Sequence, residues 1–175
     1  MTIQPVVKMG NPKLLEPSLP VERPSAPEIR TLIQDMLDTM KEKQGVGLAA
    51  PQIGHNVRII AVGFEKNERY PHREPIPLRI VINPMVEILS DERVDDWEGC
   101  LSIPGLRGLV PRYRKIKYTG YDPEGSPVSY TAEDFHARIV QHEHDHLEGI
   151  LFPQRLKDMK FFGFEDEIQK TLKVS

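Results

Sequence analysis

The run Gln141-His142-Glu143-His144-Asp145-His146 sets two imidazoles four residues apart, with a carboxylate beside the first. On a helix, His142 and His146 project from one face a turn apart and can hold one metal ion, while Glu143 reaches a water beside it. The chemistry this implies is hydrolysis: an ion held there lowers the pKa of a water, and the carboxylate moves its proton. A solvated polar helix is the alternative reading of the same residues. His144 is two residues from His142 and points to another side of the helix, so it belongs to the surface or to the support of the site. His136 is likewise off the metal face, and His55 and His72 lie in loop-like sequence without partners at ligand spacing. Asp145 either orients a ligand or is a helix-surface charge.

Two histidines leave a third ligand to be found. The metzincin extension H-E-x-x-H-x-x-G-x-x-H is followed as far as Gly149, but Phe152 then stands where the third histidine would be, and a phenyl ring binds no metal. The downstream carboxylates Glu165, Asp166 and Glu167 sit in a short polar tail that offers little scaffold. Upstream, Cys100 is the only cysteine of the chain, in the Gly- and Pro-punctuated stretch Trp97-Glu98-Gly99-Cys100-Leu101-Ser102-Ile103-Pro104-Gly105. It is the best candidate for the third ligand, against the alternative of a buried structural thiol. One thiolate, two imidazoles and an open position suit a catalytic ion rather than a closed structural site, and the donor types suit Zn²⁺ and Fe²⁺ alike.

These residues need elements to position them. Residues 1–24 carry five prolines and read as an extended arm wrapping the rest. Ser25-Ala26-Pro27-Glu28 predicts a capping box, and Ile29, Leu32, Ile33, Met36, Leu37 and Met40 then follow the spacing of one apolar helix face up to Gly45. Gly45-Val46-Gly47 allows close backbone approach to a ligand. Short β-branched runs predict strands over Arg58–Gly63, Leu78–Asn83 and Val86–Leu89, with an exposed loop over Glu65–Pro77. Ile116–Tyr121 and Pro127–Tyr130 flank the turn sequence Asp122-Pro123-Glu124-Gly125 and predict a hairpin. A second helix starts near Glu133, capped by Thr131 or Asp134, and is stopped by Gly149. On it Phe135, Ile139, His142 and His146 share a face, so Phe135 and Ile139 are either ordinary core or the wall of an apolar pocket beside the ion. Phe164–Leu172 predicts a short terminal helix.

Short strands with isolated helices and no repeating βαβ units predict an α+β fold of mostly antiparallel sheet, in one domain over residues 1–175. A formal net charge of −3 gives no basic footprint, which argues against direct nucleic-acid binding. A single cysteine excludes an intramolecular disulfide and points to a reducing compartment. The start Met1–Pro5 shows no basic region followed by an apolar run, and no stretch is long enough for a membrane span. A soluble, cytosolic protein is expected.

Three segments in order, Gly45-Val46-Gly47-Leu48-Ala49-Ala50-Pro51-Gln52-Ile53-Gly54, Glu98-Gly99-Cys100-Leu101-Ser102 and Gln141-His142-Glu143-His144-Asp145-His146-Leu147, together resemble the motifs of the peptide deformylase family. The resemblance runs from about Val7 to beyond Phe152. It implies strands packed around a central helix that bears the two histidines, with the cysteine brought in on a strand. It also implies an activity, hydrolytic removal of the formyl group from formyl-methionine of newly made polypeptides, releasing formate. The family's physiological ion is Fe²⁺, with Zn²⁺, Ni²⁺ or Co²⁺ substituting. By the same resemblance Cys100, His142 and His146 are the ligands and Glu143 the proton shuttle, while the Gln52 amide and the Leu101 backbone N–H stabilise charge on the formyl oxygen. Glu98 is expected to pair with Arg112. Substrate backbone is expected along Val46 and Gly47, with the methionine side chain near Phe135 and Ile139. The expected partners are N-formylmethionyl nascent peptides, with transient contact with the ribosome, although the acidic tail at Glu165–Glu167 is unlike a basic docking helix. Gly105 stands where many members carry Glu, and His144 where Met or Tyr is common. Neither change touches an expected ligand.

Overall fold

The computed structural model describes residues 2–68 and 70–174, the last four by backbone alone. Two helices dominate: α1 (Pro27–Glu42) and α2 (Asp134–Leu147), followed near the end by α3 (Glu165–Val174). Eight strands accompany them: β1 (Gly47–Ala49), β2 (Ile59–Phe64), β3 (Ile76–Ile88), β4 (Arg93–Cys100), β5 (Ile103–Tyr113), β6 (Lys115–Tyr121), β7 (Pro127–Glu133) and β8 (Phe162–Phe164). They form a five-stranded sheet in the order β1-β2-β3-β6-β7 and a three-stranded sheet in the order β4-β5-β8, with every pairing antiparallel. Helix α2 touches strands of both sheets and is the central element, as expected for the α+β fold. Among the described residues no helix is long and apolar enough to cross a membrane.

Strand β2 shows how the sequence selects this arrangement. Its run Ile59-Ile60-Ala61-Val62 is apolar without alternation, which suits a strand covered on both faces. Ile60 and Val62 join the core beneath α2, with Ala49, Val81, Ile116, Tyr118, Ile139 and Val140. Ile59 and Ala61 point the other way, into a core formed with Leu32, Ile33, Met36 and Met40 of α1. A third cluster, around Leu14, Cys100, Ile103, Val110, Leu151 and Phe152, fills the space under the smaller sheet.

The helix ends differ from sequence expectation. The N-cap of α1 is Ala26, without a side-chain cap, so the Ser25/Glu28 capping box does not form; Pro27 occupies the first turn, where its missing N–H costs nothing. Helix α1 closes with Gly45 N–H donating to Met40 O (2.9 Å) and Gln44 N–H to Lys41 O (3.1 Å), a Schellman arrangement in which Gln44, not Gly45, takes the left-handed conformation (φ 51°). Neither Thr131 nor Asp134 caps α2; the N-cap is Glu133, without a side-chain bond, and the Asp134 carboxylate instead takes a hydrogen bond from Arg114. Gly149 does end α2, at φ +70°, in the same hydrogen-bond pattern.

The two strands expected over 78–89 are one strand, β3, interrupted by a bulge between Ile82 and Met85. Asn83 turns left-handed there (φ 53°) ahead of Pro84, which has no N–H to give a ladder. The freed Asn83 amide pairs like backbone with Val21, accepting from its N–H (2.8 Å) and donating to its carbonyl (2.9 Å). The loop expected over 65–77 ends earlier, since Ile76 and Pro77 already belong to β3.

The proline-rich arm wraps as expected, and its path matters to the site. Val7 N–H donates to Gln52 O, Met9 N–H to Ser102 O and Ser18 N–H to Leu147 O, each at 2.8 Å. One strap of backbone therefore ties together the three segments that carry the sequence motifs.

Candidate active site

Cys100 ends β4, and a two-residue turn, Leu101-Ser102, leads into β5, so the thiol is held at the tip of a hairpin. The register slips between Glu98 and Cys100, a bulge of the kind that re-aims side chains. Helix α2 supplies His142 and His146 from one face, with ring centroids 5.1 Å apart. One ligand-capable atom from each of Cys100, His142 and His146 lies within 4.8 Å of the others, and all three residues are buried. Cys100 Sγ is 3.2 Å from His146 Nε2, while His142 Nδ1 is 2.9 Å from Glu98 Oε2, leaving its Nε2 for the site. These donors fit a single ion: one sulfur and two imidazoles converge, and the far nitrogen of His142 is already oriented by a carboxylate, as metal-bound histidines usually are. Phe152, which breaks the metzincin pattern, stacks on His142 with centroids 6.1 Å apart and is almost fully buried. It packs against a candidate ligand instead of being one.

Glu143 points toward β1. Its Oε2 is buried without a hydrogen-bond partner among the described residues, and burial pushes its carboxyl up to about 7 against the opposing pull of His142. Gly47 explains how it fits: a Cβ there would lie 2.4 Å from Glu143 Oε1. The absent side chain makes room for the carboxylate, a different use of this glycine from the ligand approach its flexibility suggested. Gln52 sits in a short 3₁₀ turn (Ala50–Ile53), where its Oε1 accepts from Ala49 N–H at 2.8 Å. That bond fixes the amide so that Nε2 faces Cys100 Sγ at 3.4 Å and Ser102 Oγ at 3.2 Å. Val46, Phe135 and Ile139 line a small cavity with His142 and Glu143.

Comparison with known proteins gives this geometry a context. The sequence profile described as polypeptide deformylase matches residues 3–162. The chain belongs to the polypeptide deformylase family. It is 56% identical to peptide deformylase 1 of Bordetella pertussis over 164 residues, covering 94% of this chain and 93% of that one. It is 52% identical to peptide deformylase 2 of Ralstonia nicotianae over the same shares of the two chains. Among solved structures, a Met-Ala-Ser-bound class I type b peptide deformylase from Acinetobacter baumannii superposes with a TM-score of 0.85 at 38% identity, covering 89% of this chain and 99% of that one. The family's activity is metal-dependent hydrolysis of the formyl group from N-formylmethionyl peptides, and the chain is an enzyme of this kind.

In this deformylase the Cys100, His142 and His146 cluster is backed by charges that sequence reasoning only partly named. Glu98 takes two hydrogen bonds from Arg112, at 2.9 and 3.0 Å, and one from Arg138 at 2.7 Å, all between buried groups. Burial pushes the Glu98 carboxyl up, but Arg112 and His142 outweigh it and hold the group below the usual carboxylate range. Arg112 also donates to Asp145 at 2.5 Å, and Asp145 accepts from Arg155 at 3.0 Å, so Asp145 is a buried network member and not a surface charge. Arg138 was missed, although Arg138, His142 and Asp145 lie four and three residues apart on one helix face and could have been found by that spacing. Gln141 was missed as well: its amide accepts from Tyr113 N–H at 3.1 Å and donates to Tyr113 O at 2.8 Å, docking α2 on the end of β5. The remaining histidines stay apart from the cluster. His144 lies near Arg58 and Glu148, His136 bonds Tyr118 Oη, and His55 and His72 are exposed.

Proposed function

We propose that Cys100, His142 and His146 hold one Fe²⁺, with Zn²⁺, Ni²⁺ or Co²⁺ able to substitute, and that Glu143, Gln52 and the Leu101 backbone N–H carry the deformylation of nascent peptides. The donor set supports an ion of this group. When bound, the ion supplies Lewis acidity and lowers the pKa of a water at neutral pH.

The protein's own groups do the rest. Glu143, with a proton affinity near neutrality, takes a proton from the attacking water and passes it to the departing amine nitrogen. Gln52 Nε2 and the Leu101 N–H donate to the formyl oxygen as negative charge gathers on it; removing one such donor costs about 3 kcal/mol of transition-state stabilisation. Substrate backbone pairs along Val46 and Gly47, at the start of β1, the outer strand of the five-stranded sheet. The methionine side chain enters the cavity lined by Phe135 and Ile139. Glu98, clamped by Arg112, keeps the His142 ring oriented.

Residues 1–175 act as one catalytic domain in this reading. The bacterial relatives support a bacterial cytosol, where formylated chains emerge from the ribosome and contact with it is transient.

The observation that carries the assignment is the buried Glu143 oxygen, without a hydrogen-bond partner among the described residues, beside three converging donors that could hold a metal. The test is formate release from formyl-Met-Ala-Ser by anaerobically purified, Fe²⁺-loaded protein, beside Glu143→Ala at equal metal content. Release that vanishes in the variant supports the proposal; release that persists removes Glu143 from the proton path.

A further inference from the structure

The side-chain cavity runs back along α2 from the metal cluster. His142 lies at its inner end, Ile139 one turn back, and Phe135 two turns back, about 10 Å along the helix axis. Trp97 of β4 and Val46 flank it. What closes the far end comes from neither helix nor strand. Tyr70, in the connection between β2 and β3, lays its ring against Phe135 with centroids 5.0 Å apart.

That ring is held by a residue of the smaller sheet. Arg107 of β5, in the smaller sheet, donates to Tyr70 Oη at 3.2 Å, with its guanidinium 5.3 Å from the Tyr70 ring centroid. Arg107 is itself buried and fixed by Glu165, at 2.8 Å from Nε and 2.7 Å from Nη2. A second tie lies alongside: Arg73 pairs with Asp96 of β4 and places its guanidinium 4.6 Å from the Phe135 ring centroid. The connection leaves the five-stranded sheet and is fastened to the three-stranded one, so Tyr70 bridges the two across the end of the cavity.

Resting on the deformylase reading, we propose that Tyr70 is the specificity-determining residue that sets how long a side chain the pocket accepts, with Arg107 as its positioning residue. A methionine side chain is unbranched and ends in a thioether methyl, and sulfur packs well against aromatic rings such as those of Phe135, Trp97 and Tyr70. A chain one methylene longer meets the Tyr70 ring. The clasp to Arg107 keeps that ring from yielding, because the guanidinium it bonds is pinned by Glu165.

The experiment compares kcat/KM for formyl-Met-Ala-Ser with that for formyl-ethionyl-Ala-Ser, which carries one more methylene, using Fe²⁺-loaded full-length protein. Wild type is expected to prefer the methionyl peptide by about tenfold or more. Tyr70→Ala should bring the ratio to within about threefold of unity, chiefly by lowering KM for the ethionyl peptide, while Tyr70→Phe, which keeps the ring, retains most of the preference. Tyr70→Trp, a larger roof, should widen the preference and serves as the second test if the alanine variant does not fold. An unchanged ratio in the folded alanine or tryptophan variant, including an equal loss on both peptides, overturns the proposal and leaves the deformylase reading intact. No formate release from metal-loaded wild type overturns the reading and the proposal together.

Discussion

Replacing Gly47 by alanine tests how tightly Glu143, the proposed proton shuttle, is held. The new methyl would lie 2.4 Å from Glu143 Oε1, 2.8 Å from Cδ and 2.9 Å from Cγ, so the carboxylate must withdraw by about 1 Å to restore ordinary van der Waals contact. The Gly47 backbone is not left-handed, so an alanine there adds no left-handed strain, and the three atoms nearest the new methyl all belong to Glu143. A misplacement of about 1 Å in a reacting group costs on the order of a hundredfold in rate, or about 2.7 kcal/mol. Overpacking of a buried site adds a stability loss of about 1–3 kcal/mol. We expect kcat for formate release to fall by about that hundredfold at unchanged metal content, since the atoms nearest the added methyl belong to Glu143 and not to Cys100, His142 or His146. In a Glu143→Ala background, where the clash has no partner, the added Gly47→Ala should change the residual rate by less than about twofold. Full activity in the single variant, or an equal loss in both backgrounds, would refute the reasoning.

Two further outcomes follow from the buried charges. Glu98→Gln leaves Arg112 and Arg138 facing a neutral amide; breaking such a buried set should cost about 3–5 kcal/mol in denaturant unfolding and about 10–100-fold in metal affinity by chelator competition. His136 is held below its ordinary pKa of 6.5, chiefly by burial and then by Arg79, while its Nε2 lies 3.0 Å from Tyr118 Oη. Because its folded pKa is depressed, the stability present above pH 6.5 is lost as pH falls through the folded value, where the unfolded chain binds the proton first. His136→Gln should flatten the acid side of a stability-against-pH curve, by less than the ~1.4 kcal/mol per pH unit of one full proton; an unchanged slope would show that His136 does not couple folding to protons.

The difference between what the sequence announced and what it concealed follows from the range of each signal. His142, Glu143 and His146 were legible because a helix converts spacing of one and four residues directly into geometry. The apolar face of α1 and the doubly buried run of β2 were legible for the same local reason. Cys100 could be nominated by chemistry, but its approach to His146 depends on a hairpin bulge and on the arm that ties Ser102 to Met9, neither of which is encoded near Cys100. The Ser25 capping box failed because two neighbouring residues can each begin a helix, and Pro27 in the first turn fixed the choice. Tyr70, in the connection between β2 and β3, and Arg107 of β5 lie 37 residues apart, and no local pattern announces that they meet.

Helix α2 poses a problem of its own. Its run from Arg138 to His146 carries a guanidinium, three imidazoles and two carboxylates, of which all but the half-buried His144 are withdrawn from water. Such a helix could not pack on apolar surface alone, since each unpaired charge inside costs several kcal/mol. It is stable at the centre because β4 and β5 bring Glu98 and Arg112 to it from outside, and Arg155 returns to Asp145 after the helix ends. The network's net contribution to stability is small, because desolvation offsets most of the attraction. Its effect is orientation. Glu98 is the shared acceptor of Arg112, Arg138 and His142. Any rotation of the His142 ring away from the cluster must therefore break a buried charged contact. Gln52 on one side and Glu143 on the other are aimed by single short-range constraints, the Ala49 N–H and the missing side chain of Gly47. The proposed ligand, shuttle and charge-stabilising donor are thus each fixed before substrate arrives, which is the condition for a reaction whose rate depends on groups placed to within about 1 Å.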